Sequence, residues 1–166
     1  MTLNALQKLF SSTVYIQIWT DRIKAVDIDS GLTFDEPALV ALKGENESKQ
    51  LCEAIGYAAQ AHEQSDTLSL LSPFNHPRIL CADFHQAETL VKAVIRKISG
   101  NKLLPPAPAV IVQPMERLEG GLTTVETRLF HEMMLGAGAR DAVVYTGQEL
   151  LPAEIDFARI KASQND

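Results

Sequence analysis

Residues 109–145 read AVIVQPMERLEGGLTTVETRLFHEMMLGAGARDAVVY, and they decide the fold class. Ala109 to Val112 is short and wholly apolar, as expected of a central strand covered on both faces. Ala142 to Tyr145 repeats the pattern. Between them, Thr123 and Glu126 stand at capping-box spacing, which predicts a helix running to about Leu135. Gly136-Ala-Gly138-Ala-Arg140 stops it. Two apolar strands joined through a helix make a parallel pair with a crossover, because parallel neighbours need a long connection.

Working outward, Asp83 opens another helix, with Gln86 three residues on. Phe84, Ala87, Leu90, Val91, Val94, Ile95 and Ile98 line one face, and Gly100 ends it. Leu103 to Pro108 is a stiff connector. Towards the N-terminus, Ser12 to Trp19 is rich in β-branched and aromatic residues, so it reads as a strand. Arg22 to Ile28 alternates as a second strand, and Asp29-Ser30-Gly31 is a turn. Leu32 to Leu42 is extended and interrupted by Pro37. The simplest reading of these segments is a three-stranded antiparallel meander.

Lys43 to Gln50 is a charged loop, and Cys52 to Glu63 passes through Gly56 into an alanine-rich helix. Ser65 to Ile79 is loop or edge structure, broken by Pro73 and Pro77. Leu151 to Ala162 predicts a final helix with Pro152 in its first turn. The spacing of Leu3, Leu6, Leu9 and Phe10 predicts an amphipathic helix over residues 1–11. The expected order is meander, inserted region, then helix–strand–helix–strand–helix. That mixed α/β sheet is the order of the ribonuclease-H-like fold, shared by the actin and sugar-kinase ATPases.

Composition narrows the function classes. The chain has 166 residues, enough for one domain with its own core. Fifteen Lys and Arg against twenty-one Asp and Glu give a net charge of −6, a poor balance for general nucleic-acid binding. Cys52 and Cys81 have no CxxC partner, which excludes a disulfide scaffold and suits a reducing cytoplasm. No apolar run reaches the length of a membrane span, and no secretory leader is expected. His62, His76, His85 and His131 lack the short ligand spacing of structural zinc. A ribonuclease-H-type nuclease would need a carboxylate on the first strand to hold magnesium, and Gln17 and its neighbours offer none.

Several segments together resemble the bacterial actin homologue family MreB, in its N-terminal half. Gly31-Leu-Thr-Phe-Asp-Glu36-Pro37-Ala-Leu-Val40-Ala41 is similar to the family's G-x-x-x-N-E-P-S-V-V-A. Ala54-Ile-Gly56-Tyr-Ala58 resembles A-V-G-x-x-A. Pro73 followed by Ala82-Asp83-Phe84 resembles a proline-led stretch ending I-A-D-F, and Val110-Ile111-Val112-Gln-Pro114 resembles V-x-I-x-V-P. Thr124-Val125-Glu126-Thr-Arg128 and Ala137-Gly138-Ala139-Arg140 are similar to T-x-V-E-R-R and A-G-A-R. The amphipathic N-terminus is similar to the membrane-binding helix of some members. The resemblance implies an actin-type lobe over residues 12–162, with a small insert at about 44–80.

The departures bear on function. In the family the first phosphate loop ends a strand with D-x-G-T: backbone N–H groups cradle phosphates, and the Asp orients magnesium-bound water. The matching positions here are Gln17, Ile18, Trp19 and Thr20, so an amide replaces the acid and an indole replaces the glycine. Asp29-Ser30-Gly31 mimics the pattern, but its distance to Glu36-Pro37 favours a hairpin turn. The family's E-E-P after A-G-A-R falls on Thr146 and Gly147, with Glu149 a few residues away. The second phosphate loop and adenosine pocket belong to the family's other half. These departures from the family pattern lead to the expectation of no ATPase activity and no cofactor.

The expectation is a non-catalytic half-actin acting as a scaffold or partner in the cell-shape cytoskeleton. Its partners would be further copies or a full-length actin homologue, not nucleic acid. It would be cytoplasmic and peripheral to the inner membrane face if Leu3, Leu6, Leu9 and Phe10 meet lipid. The alternative is a weak ATP-binding switch, with magnesium, whose cleft is completed by dimerisation.

Overall fold

The computed structural model describes residues 12–44, 50–100 and 106–164. The segment with Leu3, Leu6, Leu9 and Phe10 lies outside the described residues, as do 45–49 of the insert. The meander forms as β1 (Thr13–Ile18), β2 (Arg22–Asp27) and β3 (Thr33–Pro37). Two later strands, β7 (Ala109–Pro114) and β8 (Asp141–Val144), complete a five-stranded sheet of order β3-β2-β1-β7-β8. β1 runs antiparallel to β2 and parallel to β7, with Gln17 directly beside Gln113. β7 and β8 are parallel. This is the mixed sheet that the apolar runs at 109–112 and 142–145 predict.

Alternate residues of the central strands face two layers, as the two-residue period of a strand requires. Val14, Ile16, Ile18, Val110, Val112, Ala142 and Val144 turn towards two helices, α2 (Phe84–Ile98) and α3 (Thr124–Gly136). Leu90, Val91, Val94 and Ile98 of α2 are fully buried there. Each such side chain contributes about 1.5–3 kcal/mol of apolar burial. Asp83 Oδ1 caps α2 by accepting from the Gln86 N–H at 2.9 Å. Thr123 and Glu126 form a complete capping box on α3. Tyr15, Ile111 and Val143 face the opposite layer, where they meet Ile160 of α4 (Phe157–Ser163).

The insert builds a second sheet. β4 (Val40–Lys43) lies between β5 (Leu51–Ile55) and β6 (Leu68–Leu71), antiparallel to both. The segment read as one extended run, Leu32 to Leu42, is therefore split between two sheets, and Ala38 and Leu39 carry the chain across. Cys52 to Ile55 are strand, and helix α1 is confined to Gly56–Gln60. Pairing with β4 makes a strand of the lead-in to this helix. At Gly56 the chain takes φ 61, and a Cβ there would sit 2.1 Å from Glu36 Oε2. The contact between Glu36 and this turn requires glycine.

Two other expectations change. The final helix breaks into a 3₁₀ turn at Pro152–Glu154 and α4, because Ile155 is extended and Asp156 re-caps the chain through the Arg159 N–H. Phe84, placed on the buried face of its helix, is 40% exposed, since it occupies the first position before that face meets the sheet. Asp29-Ser30-Gly31 is the β2–β3 hairpin turn. Gly31 takes φ 73, Asp27 Oδ1 accepts from the Asp29 and Ser30 amides, and Asp29 Oδ2 accepts from the Thr13 N–H. Its carboxylates are engaged by backbone amides of the turn and of β1.

Candidate functional site at the carboxyl ends of the central strands

β1, β7 and β8 run in parallel, so their carboxyl ends share one edge of the sheet. Crevices outside such ends are where open α/β sheets bind ligands. Two glutamines interrupt the apolar strands there. Gln17 and Gln113 are neighbours in register and are 1% and 2% exposed. A buried amide must find partners, or it costs about 1–3 kcal/mol. Both find them in the loop after β8.

Gln17 Nε2 donates to Glu149 Oε1 at 3.0 Å and faces the Met115 sulfur at 3.6 Å. Gln113 Nε2 donates to the Gly147 carbonyl at 2.7 Å, and its Oε1 accepts from the Tyr15 hydroxyl. The same hydroxyl accepts from the Leu150 N–H at 3.3 Å. The loop Gly147–Leu150 is thus fastened across the strand ends by Tyr15, Gln17 and Gln113. Burial pushes the Tyr15 phenol above its ordinary value, and the Glu149 charge pushes the same way. Lys24 Nζ stands 3.8 Å from Glu149 Oε1 on the open side.

The turn between β1 and β2 carries the other expected site residues. Trp19 closes the hairpin by donating its backbone N–H to the Arg22 carbonyl at 2.9 Å. Its ring lies under the Arg22 guanidinium, 4.7 Å from the centroid. Arg22 also forms a two-point pair with Asp35, both contacts at 2.6 Å. That pair holds the Asp35 carboxyl below its usual range. The Thr20 N–H donates to Glu116 Oε2 at 2.7 Å. Beside it opens a cavity of about 700 Å³ between the β1–β2 turn and the β7–α3 loop. Arg117, on its wall, takes φ 57 and reaches the Ile79 carbonyl at 2.6 Å.

The structure brings Gln17, Trp19 and Thr20 to one end of β1. Glu149, set aside on its sequence offset, is the direct partner of Gln17. Glu116, Gln113 and Tyr15 were missed. The available signal was two glutamines standing in otherwise apolar strands, which demands buried acceptors. Among the described residues, no group of three or more His, Cys, Asp and Glu side chains gathers to hold a metal ion. No described helix is long and apolar enough to cross a membrane.

Known proteins resemble this chain in sequence and fold. The family model for MreB/Mbl protein matches residues 11–156. The cell shape-determining protein MreB of Pasteurella multocida is 27% identical over 158 residues, covering 93% of this chain and 43% of that protein. MreB of Escherichia coli K12 is 27% identical over 150 residues, covering 89% and 41%. The chain thus spans less than half the length of the curated relatives it matches. Among solved structures, MreB5 of Spiroplasma citri bound to ADP aligns with a TM-score of 0.60 at 18% identity, covering 82% of this chain and 38% of that one. The MamK double helical filament aligns at 0.53 and 10% identity, covering 82% and 41%. These likenesses give the actin-like, ribonuclease-H-like fold. With the family model covering most of the sequence, the chain belongs to the MreB/Mbl family.

Proposed function

We propose that this chain serves the cell-shape cytoskeleton as a non-catalytic actin-like partner, binding further copies of itself or a full-length actin homologue. One observation carries the reading: the polar groups of the strand-end turn that would receive phosphate are engaged by the chain's own carboxylates. Gln17 offers a neutral amide where the family has an acid, and that amide is spent on Glu149. The Thr20 N–H is spent on Glu116. Trp19 puts an indole where close backbone approach needs glycine. These residues do not fit a magnesium triphosphate. The cell-shape relatives and the filament formed by MamK support assembly as the mode of action. The N-terminal apolar residues Leu3, Leu6, Leu9 and Phe10 are assigned to membrane or partner contact, at the inner face of the membrane.

Trp19 is the single tryptophan and adjoins Thr20, so its emission reports on the site. A titration with ATP and magnesium, checked by calorimetry, is expected to give no saturable response at millimolar nucleotide. Sedimentation is expected to show self-association or co-pelleting with actin-homologue filaments. A saturable, magnesium-dependent response would replace this reading with the ATP-binding switch completed by dimerisation. A strict monomer that binds no filament would defeat the partner role.

A further inference from the structure

We propose that the outer edge of β8 is a docking groove for an extended acidic segment of a partner protein, which joins the five-stranded sheet as a sixth strand beside Val144. β8 ends that sheet, so its outer side has no strand partner among the described residues. In a parallel pair, alternate residues turn their N–H and C=O groups towards the neighbouring strand. Tyr145 donates its N–H to the Val112 carbonyl at 2.9 Å, so Asp141, Val143 and Tyr145 face β7. Ala142 and Val144 therefore turn their backbone groups outwards. Asp141 Oδ1 accepts from the Ala142 N–H at 2.9 Å. The Val144 N–H and the carbonyls of Ala142 and Val144 remain for an incoming strand.

This edge is a groove rather than an open margin. α3 and α4 both line it, and the space between them and β8 is about 430 Å³. Ala142 and Val144 are accordingly only 3% and 8% exposed. Backbone groups placed so deep gain from a partner that completes their hydrogen bonds. The chain covers another strand edge itself: at β6, Ser65 bridges Leu68, and Gln64 Nε2 donates to the Leu70 carbonyl at 3.3 Å. Such cover is how sheets avoid pairing with other chains, and β8 has no second strand of this kind among the described residues. Strand addition takes affinity from main-chain bonds and selectivity from flanking side chains. Here the flanking charges are cationic. Arg128 lines the α3 wall beside His131, and Lys161 lines the α4 wall, with no carboxylate among the described lining residues. Lys161 is already paired with Asp141 at 2.6 Å. Arg128 reaches Glu132 only at 4.0 Å, with its side chain 81% exposed. Arg128 is therefore the charge that an acidic segment meets.

The test titrates the full chain with a capped heptapeptide alternating glutamate and valine, and follows the Val144 amide resonance and its hydrogen exchange. The resonance moves saturably, and exchange at Val144 slows. The fully N-methylated peptide, which cannot donate to the Ala142 and Val144 carbonyls, binds at least about tenfold more weakly. The same peptide with lysine in place of glutamate also binds at least about tenfold more weakly, because like charges then face each other. Arg128→Glu weakens the glutamate peptide by about threefold to fivefold, the scale of an exposed ion pair. If Arg128→Glu does not fold, Arg128→Ser replaces it with a smaller loss in the same direction. A folded chain whose Val144 amide ignores the glutamate peptide at millimolar concentration overturns the proposal, as does equal binding of the lysine peptide. Sedimentation with and without the peptide identifies the occupant. Self-association that the peptide leaves unchanged supports a separate partner, whereas copies that the peptide drives apart would make the occupant a second copy and overturn the proposal.

Discussion

Replacing Tyr15 with Phe tests whether the loop over the strand ends is held by hydrogen bonds. Tyr15 is 2% exposed, and its hydroxyl donates to Gln113 and accepts from the Leu150 N–H. The ring and its packing on Ile111 and Val143 survive the substitution. What is lost is one donor to a buried amide oxygen and one acceptor for a loop N–H. Stranding such groups costs about 1–3 kcal/mol in total. At about 2 kcal/mol, a chain of this size loses roughly 4–8 °C in Tm. Urea unfolding should show a lower midpoint with an unchanged slope, since the same surface is exposed. Exchange at the Leu150 amide should accelerate. The alkaline limb gives a second check. Burial raises the folded phenol above its ordinary value of 10.0, so the folded chain retains a proton that the unfolded chain releases. Its contribution is complete below about pH 10 and is lost as pH rises through the folded value. Tyr15→Phe should flatten that loss. A stability change below about 0.5 kcal/mol, with unaltered Leu150 exchange, would refute the reasoning, because it would mean the hydroxyl holds nothing.

Three further outcomes are expected. Thr123→Ala removes the capping box of α3 and should cost about 1 kcal/mol, read as a lower urea midpoint; a neutral result would contradict the cap geometry. Asp35 and Asp141 are held below their ordinary value of 3.8 by Arg22 and Lys161. Their contribution is present above that value and lost as pH falls through the folded values, so Asp141→Asn should flatten the acid limb slightly. Both pairs are more than a third exposed, and the effect should stay within a few tenths of a kcal/mol. In a thiol-reagent assay, exposed Cys52 should react well before Cys81, whose burial pushes its thiol up to about 11. Equal rates under native conditions would count against the packing around Cys81.

The sheet and its helices were legible in the sequence because their signals are local. Apolar runs at 109–112 and 142–145, and caps at Asp83 and Thr123, act within a few residues, where spacing alone fixes which groups meet. The hairpin at Asp29-Ser30-Gly31 was legible for the same reason. Short stretches whose pairing partner lies elsewhere were not. Cys52 to Ile55 looks like the lead-in to a helix until β4 lies beside it, and Leu151 to Ala162 looks continuous until Asp156 re-caps it.

The same division runs through the site. Residue order alone places Gln17 and Ile18 at the end of the first strand, with Trp19 and Thr20 in the turn that follows. What those residues touch is set by tertiary packing. Gln17 meets Glu149 across 132 positions, and Thr20 meets Glu116 across 96. Such contacts arise from the register of β1 against β7 and from the path of the loop after β8. Each depends on the packing of the whole sheet, and no local spacing encodes it.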